Sequence, residues 1–399
     1  MKVIIENFGP ITERVEIDVK DFMVFTGEQA SGKSTIAKVI WFFESIIKRE
    51  ILPATSYKNL IEDLNSRFFK TFGTHYHLDK NMYVYYEYKK NIYVEIKYDD
   101  LAEEIKFNFS ENINQLLKKL KNNPDTLTWE HHNKTIFDND YVTLYIPTGR
   151  SLLSSLNIEI ENFLYNLTID NPNSMIDFLL LDYIKIMSSI KTDFKEGLEG
   201  LKNSSSKLKN YEQINTSAHN ILKGEYFYDD DVAGYLLVNN KKIPLNNISS
   251  GQQEVLWILN ILIFYLTKNY KCFFIIEEPE NSLFPSTQKL ITEFIALVHN
   301  AGHQVLITTH SPYILGTLNN LLYAPVRAKE INNEEAINKI INKDYWLNKE
   351  NFGAWFIDSK HTVSSCFDEE KGVIKNEVID KASDDINNDF DKMLEAGDN

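Results

Sequence analysis

The sequence predicts an α/β fold organised around a phosphate-binding loop, and three observations carry that prediction. Gly27 to Ser34 read Gly-Glu-Gln-Ala-Ser-Gly-Lys-Ser, a glycine, four residues and then Gly-Lys-Ser. This loop opens directly after the apolar run Phe22-Met23-Val24-Phe25 and directly before a helical pattern, which is the strand–loop–helix context the motif requires. Two later runs, Cys272 to Ile276 and Gln304 to Thr308, are nearly continuous in apolar residues, as parallel strands buried on both faces are. In such a loop the backbone N–H groups converge on phosphate oxygens, and the helix N-terminus adds positive potential. Gly27, Glu28, Gln29, Ala30 and Ser31 would form the cradle, with Gly32, Lys33, Ser34 and Thr35 at the helix start. The two glycines permit the tight bend, Lys33 would reach the β- and γ-phosphates, and the Ser34 hydroxyl would hold Mg²⁺.

The other elements follow from periodicity. Residues 2–6, 14–19 and 22–26 read as short strands, a helix runs from Lys33 to about Glu50, and a second helical pattern covers Ser56 to Thr71. Aromatic alternation over 82–88, 92–98 and 105–109, with Asn91 in the first turn, predicts an antiparallel meander. Val142 to Ile146 is a strand ended by Pro147, and residues 150–222 are mostly helical in pattern. Tyr226 to Tyr228 and Gly234 to Val238 suggest a hairpin. From Ser249 the pattern is helix, strand, helix, strand, helix, and an acid-rich tail with a helical pattern follows from Asp368. The expected organisation is an N-terminal lobe with the meander (1–150), a helical insertion (151–224), a C-terminal lobe (225–328) and an acidic extension (329–399).

Composition narrows the possibilities. The chain has 399 residues, 43% hydrophobic and 25% charged, an ordinary globular balance. A net charge of −15 repels nucleic acid on average, so contact with DNA or RNA needs a local basic patch. The two cysteines make no disulfide framework, the N-terminus has no apolar leader, and the apolar run Leu256 to Leu266 is short of the ~20 residues of a membrane span. A cytoplasmic protein with no membrane partner is expected.

Two further segments carry chemistry. The strand Phe273 to Ile276 ends in Glu277-Glu278-Pro279-Glu280. Carboxylates at such a strand end serve a phosphate loop by holding metal and water, so Glu277 is the candidate Mg²⁺ residue, through water, and Glu278 the candidate water-polarising residue. Ser249-Ser250-Gly251-Gln252 opens a long apolar helix, where free N–H groups make a second anion site; a capping box is compatible with that role. His310, in Thr308-Thr309-His310-Ser311-Pro312 at the next strand end, could bond a γ-phosphate and sense its loss.

The order glycine loop, Ser-Gly-Gln helix start, Glu-Glu strand end and Thr-His strand end resembles the ABC-type ATPase superfamily, in particular its soluble RecF, SMC and OLD-like branch. Ile248 to Gln252 stands where the Leu-Ser-Gly-Gly-Gln signature lies. Glu278-Pro279-Glu280 with Leu283-Phe284-Pro285 is similar to the Glu-Pro-Glu…Leu-His-Pro run of the OLD-like branch. Ile5 to Ile11 and Tyr145 to Arg150 resemble its first strand and its Ile-Pro-x-x-Arg strand end. The likeness covers roughly 1–50, 140–152 and 243–325. It departs at Glu277, usually aspartate, at Ser250, usually glycine, and at Phe284.

The resemblance implies a P-loop ABC-type ATPase fold with a mixed sheet; the antiparallel β meander and the helical insertion are read from the residue pattern and are not placed by its motifs. It also implies ATP and Mg²⁺ as ligands, hydrolysis by Lys33, Glu278 and His310, and a head-to-tail dimer or higher homo-oligomer in which Ser249, Gly251 and Gln252 cap the nucleotide of the other copy. It is further similar to ATPase components of anti-phage defence systems such as PARIS, Septu and the retron-associated ATPases, where a switch controls a separate effector. The alternative is a RecF-like repair or recombination ATPase that clamps DNA. Arg150 reads equally as a phosphate contact or a helix start. His75 with His77, His131 with His132, and the lysines around 118–121 and 202–209 read better as ordinary surface than as sites.

Overall fold

The computed structural model describes residues 1–48, 57–73, 78–122, 137, 141–156, 177–204, 211–231, 233–268, 271–375 and 392–393. The chain opens with β1 (Lys2–Glu6), β2 (Val15–Asp18) and β3 (Phe22–Gly27), then the glycine loop and α1 (Lys33–Trp41), which continues as a π-helical turn over Phe42–Ile47. Next come α2 (Tyr57–Phe72), β4 (Tyr83–Lys89), β5 (Ile92–Asp99), β6 (Glu104–Phe109) and α3 (Glu111–Asn122). They are followed by β7 (Val142–Ile146), α4 (Ser151–Leu156), α5 (Phe178–Ile190), α6 (Gly197–Ser204) and α7 (Tyr211–Leu222). A three-stranded antiparallel sheet, β8 (Glu225–Asp229), β9 (Ala233–Val238) and β10 (Lys241–Pro244), precedes α8 (Ser250–Leu266). The C-terminal part runs β11 (Cys272–Glu277), α9 (Pro285–Asn300), β12 (Gln304–Thr309), α10 (Pro312–Glu330), β13 (Phe352–Ile357) and β14 (Val363–Ser365).

The expected mixed sheet is present, with six strands in the order β14-β13-β3-β12-β11-β7. Every neighbour pair from β13 to β7 is parallel, and β14 is an antiparallel edge. Alternation divides the core. In β11, Phe273 and Ile275 join the cluster containing α1, whereas Cys272, Phe274 and Ile276 join the cluster built on α8, α9 and α10. The meander appears as read, and β1 and β2 extend it to a five-stranded antiparallel sheet, β2-β1-β4-β5-β6. This sheet buries Val84, Tyr86 and Tyr88 against the helical turn after α1. There the Glu44 carboxylate pairs with Lys48 and accepts the Tyr86 hydroxyl at 2.7 Å, with both charged side chains buried.

Two segments differ from the sequence reading. The stretch read as an acidic extension, 329–399, returns to the central sheet, where β13 lies parallel to β3 from Phe22 to Gly27. The reason is the apolar run Phe352-Gly353-Ala354-Trp355-Phe356-Ile357, which suits burial on both faces; the acid content further on obscured it. The helical pattern from Asp368 instead begins with a two-stranded ladder, Phe367–Asp368 against Val373–Ile374. The described helices of the 151–224 segment pack into the main core as a compact cap, with the Tyr183 hydroxyl donating to the Trp257 carbonyl at 2.7 Å. His75, His77, His131, His132, Lys207, Lys209 and most of the tail beyond 375 lie outside the described residues. Lys202 lies over the Tyr211 ring at 4.2 Å.

Candidate functional site

The loop between β3 and α1 takes its shape from two glycines. Gly27 has φ 141 and Gly32 has φ 109, values in the left-handed half of the map that side chains rarely adopt. A Cβ on Gly27 would lie 2.0 Å from the Ile357 carbonyl oxygen, and one on Gly32 would lie 2.9 Å from Ile11 Cδ1. The end of β13 and the turn between β1 and β2 therefore press on the loop from two sides. Gly32 is the N-cap of α1 and provides no side-chain cap, so the first N–H groups of the helix remain open to an anion.

Lys33 is only 5% exposed, and its ammonium donates to the carbonyls of Gly27 at 3.0 Å and Glu28 at 2.6 Å. Burial lowers its pKa, opposed by the charges of Glu278, Glu280 and Glu28. A buried ammonium held by neutral carbonyls in a glycine cradle suits a phosphate. The loop lines a cavity of about 710 Å³ with Gln29, Ala30, Ser31, Gly32, Lys33, Ser34 and Thr35. Glu278 and His310 line it from two other strand ends, and Gly9, Pro10 and His361 close it.

The carboxylates separate by position. Glu277, the last residue of β11, is buried; its carboxylate accepts the Tyr145 hydroxyl at 2.7 Å and the Thr148 N–H at 3.3 Å and does not line the cavity. Burial first, and then the charge of Glu277, pushes the Tyr145 phenol well up. Glu278 follows with φ 41, an uncommon conformation for a side-chain-bearing residue, and its N–H donates to the Thr308 carbonyl at 2.9 Å. Its Oε1 lies 2.6 Å from His310 Nε2. That hydrogen bond is the leading cause both of the lowered Glu278 pKa and of the raised His310 pKa, with partial burial opposing each. Glu280 accepts the Thr309 hydroxyl at 2.6 Å and the His310 N–H at 2.8 Å, and burial raises its pKa.

Ser249 is the N-cap of α8 in a full capping box with Gln252, and Gln252 Nε2 also donates to the Leu222 carbonyl at 2.7 Å. Gly251 packs so closely that a Cβ there would fall 2.6 Å from the Ser282 carbonyl oxygen. None of Ser249, Gly251 and Gln252 lines the loop cavity. The structure thus brings Lys33, Ser34, Glu278 and His310 together and leaves Glu277 and the α8 start apart from them. Of its two sequence readings, Arg150 takes the helix start: it directly precedes α4, and its carbonyl accepts the Leu153 N–H at 3.0 Å. It is fully buried and reaches the backbone of Glu277 and Glu278 instead of the cavity.

Sequence reasoning missed His361, whose Nδ1 lies 3.0 Å from the Ser31 carbonyl oxygen, and Glu280 as the holder of His310. The apolar run of β13 was the available signal for His361, because a parallel strand beside β3 delivers the following turn to the loop. Among the described residues no group of three or more His, Cys, Asp or Glu side chains could hold a metal unaided. The oxygen donors present, Ser34 and nearby carboxylates, suit a magnesium ion that arrives with phosphates and keeps part of its water shell. No described helix is long and apolar enough to cross a membrane, and both cysteines are free and buried.

Among solved structures, the chain is similar to the SMC head domain from Thermotoga maritima, with a TM-score of 0.39 and 10% identity over 79% of this chain and 90% of that one. It is also similar to an SMC head bound to the C-terminal domain of ScpA derived from Pyrococcus furiosus, with a TM-score of 0.39 and 11% identity over the same shares. Among curated proteins, the uncharacterized protein MJ1542 of Methanocaldococcus jannaschii is 29% identical over 107 residues, 24% of this chain and 13% of that protein's length. The family model described as AAA ATPase domain matches residues 1–52 and 45–315, most of the chain including the loop, the carboxylate turn and His310. The chain therefore belongs to the AAA ATPase domain family.

Proposed function

We propose that the chain is an ATP-hydrolysing switch that closes head-to-tail on a second copy around MgATP and thereby controls a separate effector, in anti-phage defence. The observation that carries the hydrolytic reading is one cavity in which Lys33, Ser34, Glu278 and His310 converge from the ends of three adjacent parallel strands. The loop N–H groups and Lys33 bind and orient the phosphates. Glu278 accepts a proton from water, and His310 orients Glu278 until a γ-phosphate competes for the imidazole. Magnesium bound with ATP would neutralise phosphate charge, with Ser34 as a ligand; Glu277, engaged by Tyr145 and the Thr148 N–H outside the cavity, has no part in holding it. Chemistry of this kind rests on positioning and charge stabilisation.

The closure reading is supported by the start of α8, which presents exposed Ser249 and Ser250 outside the cavity of its own chain. Such a surface serves a nucleotide held by another copy. The hydrolytic assignment is tested by Glu278→Gln. Loss of a general base lowers turnover by about 10²–10⁴-fold, and ATP binding should persist. Turnover at the wild-type rate in this variant would remove Glu278 from the role.

A further inference from the structure

We infer that Arg150 is a positioning residue for hydrolysis: its guanidinium holds the backbone of Glu277 and Glu278 and so aims the Glu278 carboxylate at the cavity. The inference rests on the hydrolytic reading above and adds a residue that neither touches phosphate nor lines the cavity. Arg150 is among the largest fully buried side chains of the molecule. Its Nη1 donates to the Pro147 carbonyl at 2.6 Å and to the Glu277 carbonyl at 2.7 Å, and Nη2 donates to the Glu278 carbonyl at 3.0 Å. Nε lies 3.1 Å from Oε2 of Glu254, which is itself buried in the second turn of α8, and Glu254 Oε1 accepts the Ser151 N–H at 3.1 Å. One planar cation therefore ties the ends of β7 and β11 to α8.

Two physical points separate this arrangement from plain core filling. A buried ion pair is weak grounds for stability, because well-packed apolar residues of similar volume often do as well or better. Glu278 also sits at φ 41, a conformation that persists only where its surroundings over-determine it. Its carbonyl is held by Arg150 and by the Asn281 N–H at 3.1 Å, and its own N–H by the Thr308 carbonyl. Without the fork, the peptides on either side of the Glu278 Cα each lose one charge-assisted bond, at the Glu277 and Glu278 carbonyls, and the turn can relax toward an ordinary conformation that points the carboxylate elsewhere. Lysine cannot replace the fork, since its ammonium is a point charge without the planar set of donors.

The test uses the full chain and compares Arg150→Lys with Glu44→Gln, which disturbs the separate buried pair beside α1. Three quantities are read: the ATP dissociation constant, the single-turnover rate per bound ATP, and the Tm. For Arg150→Lys the rate per bound ATP should fall by about 10–100-fold, the size expected of a misplacement of about 1 Å, with ATP affinity close to wild type. For Glu44→Gln the Tm should fall while the rate per bound ATP stays at the wild-type value. An Arg150→Lys rate per bound ATP equal to wild type overturns the inference, as does a loss of rate that Glu44→Gln reproduces at equal Tm. Should Arg150→Lys not fold, Glu254→Gln loosens the guanidinium in place, and an unchanged rate per bound ATP in that variant overturns the inference equally. If the wild-type chain hydrolyses no ATP, the hydrolytic reading fails and takes this one with it; if wild type turns over and the variants match it, only the role of Arg150 fails.

Discussion

Helices α1 and α8 both begin at turns rich in glycine and serine, yet their N-termini are in different states. α1 starts behind Gly32, which is left-handed and gives no side-chain cap, and its first turn faces a cavity. α8 starts behind Ser249, which is extended and closed in a reciprocal capping box with Gln252. An anion arriving at α1 meets donors that are still open. An anion arriving at α8 must compete with bonds already made, a cap that typically contributes about 1 kcal/mol. A serine–glycine motif marks a helix start, but the cap decides whether that start is ready for a ligand. In the proposed switch this gives an order of events: ATP settles first in the α1 cradle, and the α8 start of a second copy docks afterwards.

The largest expected effect lies on the open side. Lys33→Ala removes the only charged donor within the loop itself, and turnover should fall by about 10²–10³-fold, with weaker ATP binding measured by equilibrium titration. Wild-type affinity in that variant would mean that α1 is not the primary anion site. An intermediate effect concerns the pair that faces the cradle. His310 has a raised pKa because it bonds Glu278, so its midpoint, followed by NMR, should lie above the ordinary ~6.5. In Glu278→Gln the midpoint should move down. The sign follows from linkage: the pair's contribution to stability is fully present between the ordinary carboxylate and histidine pKa values, is lost as pH rises through the raised pKa of His310, and is lost as pH falls through the lowered pKa of Glu278. Both groups are partly exposed, so this contribution to stability is small. The smallest effect is on the capped side. Ser249→Ala should cost about 1 kcal/mol of stability, leave ATP binding at α1 unchanged and weaken association of two ATP-loaded copies. A loss of first-site ATP affinity in Ser249→Ala would erase the contrast between the two helix starts.

Much of this was legible in the sequence because local rules dominated. The glycine loop needed positive φ at Gly27 and Gly32, and the apolar runs of β3, β11 and β12 carried the signature of parallel strands buried on both faces. The alternating tyrosines of β4 gave the meander directly. What could not be read depends on long-range placement. Nothing local shows that residues 352–357 pair beside β3, and hence that His361 reaches the loop from 330 residues away in sequence. Arg150 looked equally suited to phosphate or to a helix start. Only the fold shows that the end of β7 lies beside the Glu277–Glu278 peptide and Glu254. Likewise, Glu277 and Glu278 are adjacent in sequence, but the left-handed turn at Glu278 sends one carboxylate to Tyr145 and the other to His310.

The account stands or falls on whether one nucleotide is shared by two copies of this chain. The most direct measurement is the solution mass of purified Glu278→Gln with and without ATP and magnesium. The account predicts a monomer without nucleotide and a dimer or larger closed assembly with it, held for as long as turnover is blocked. A mass that stays monomeric at saturating ATP and magnesium would contradict it.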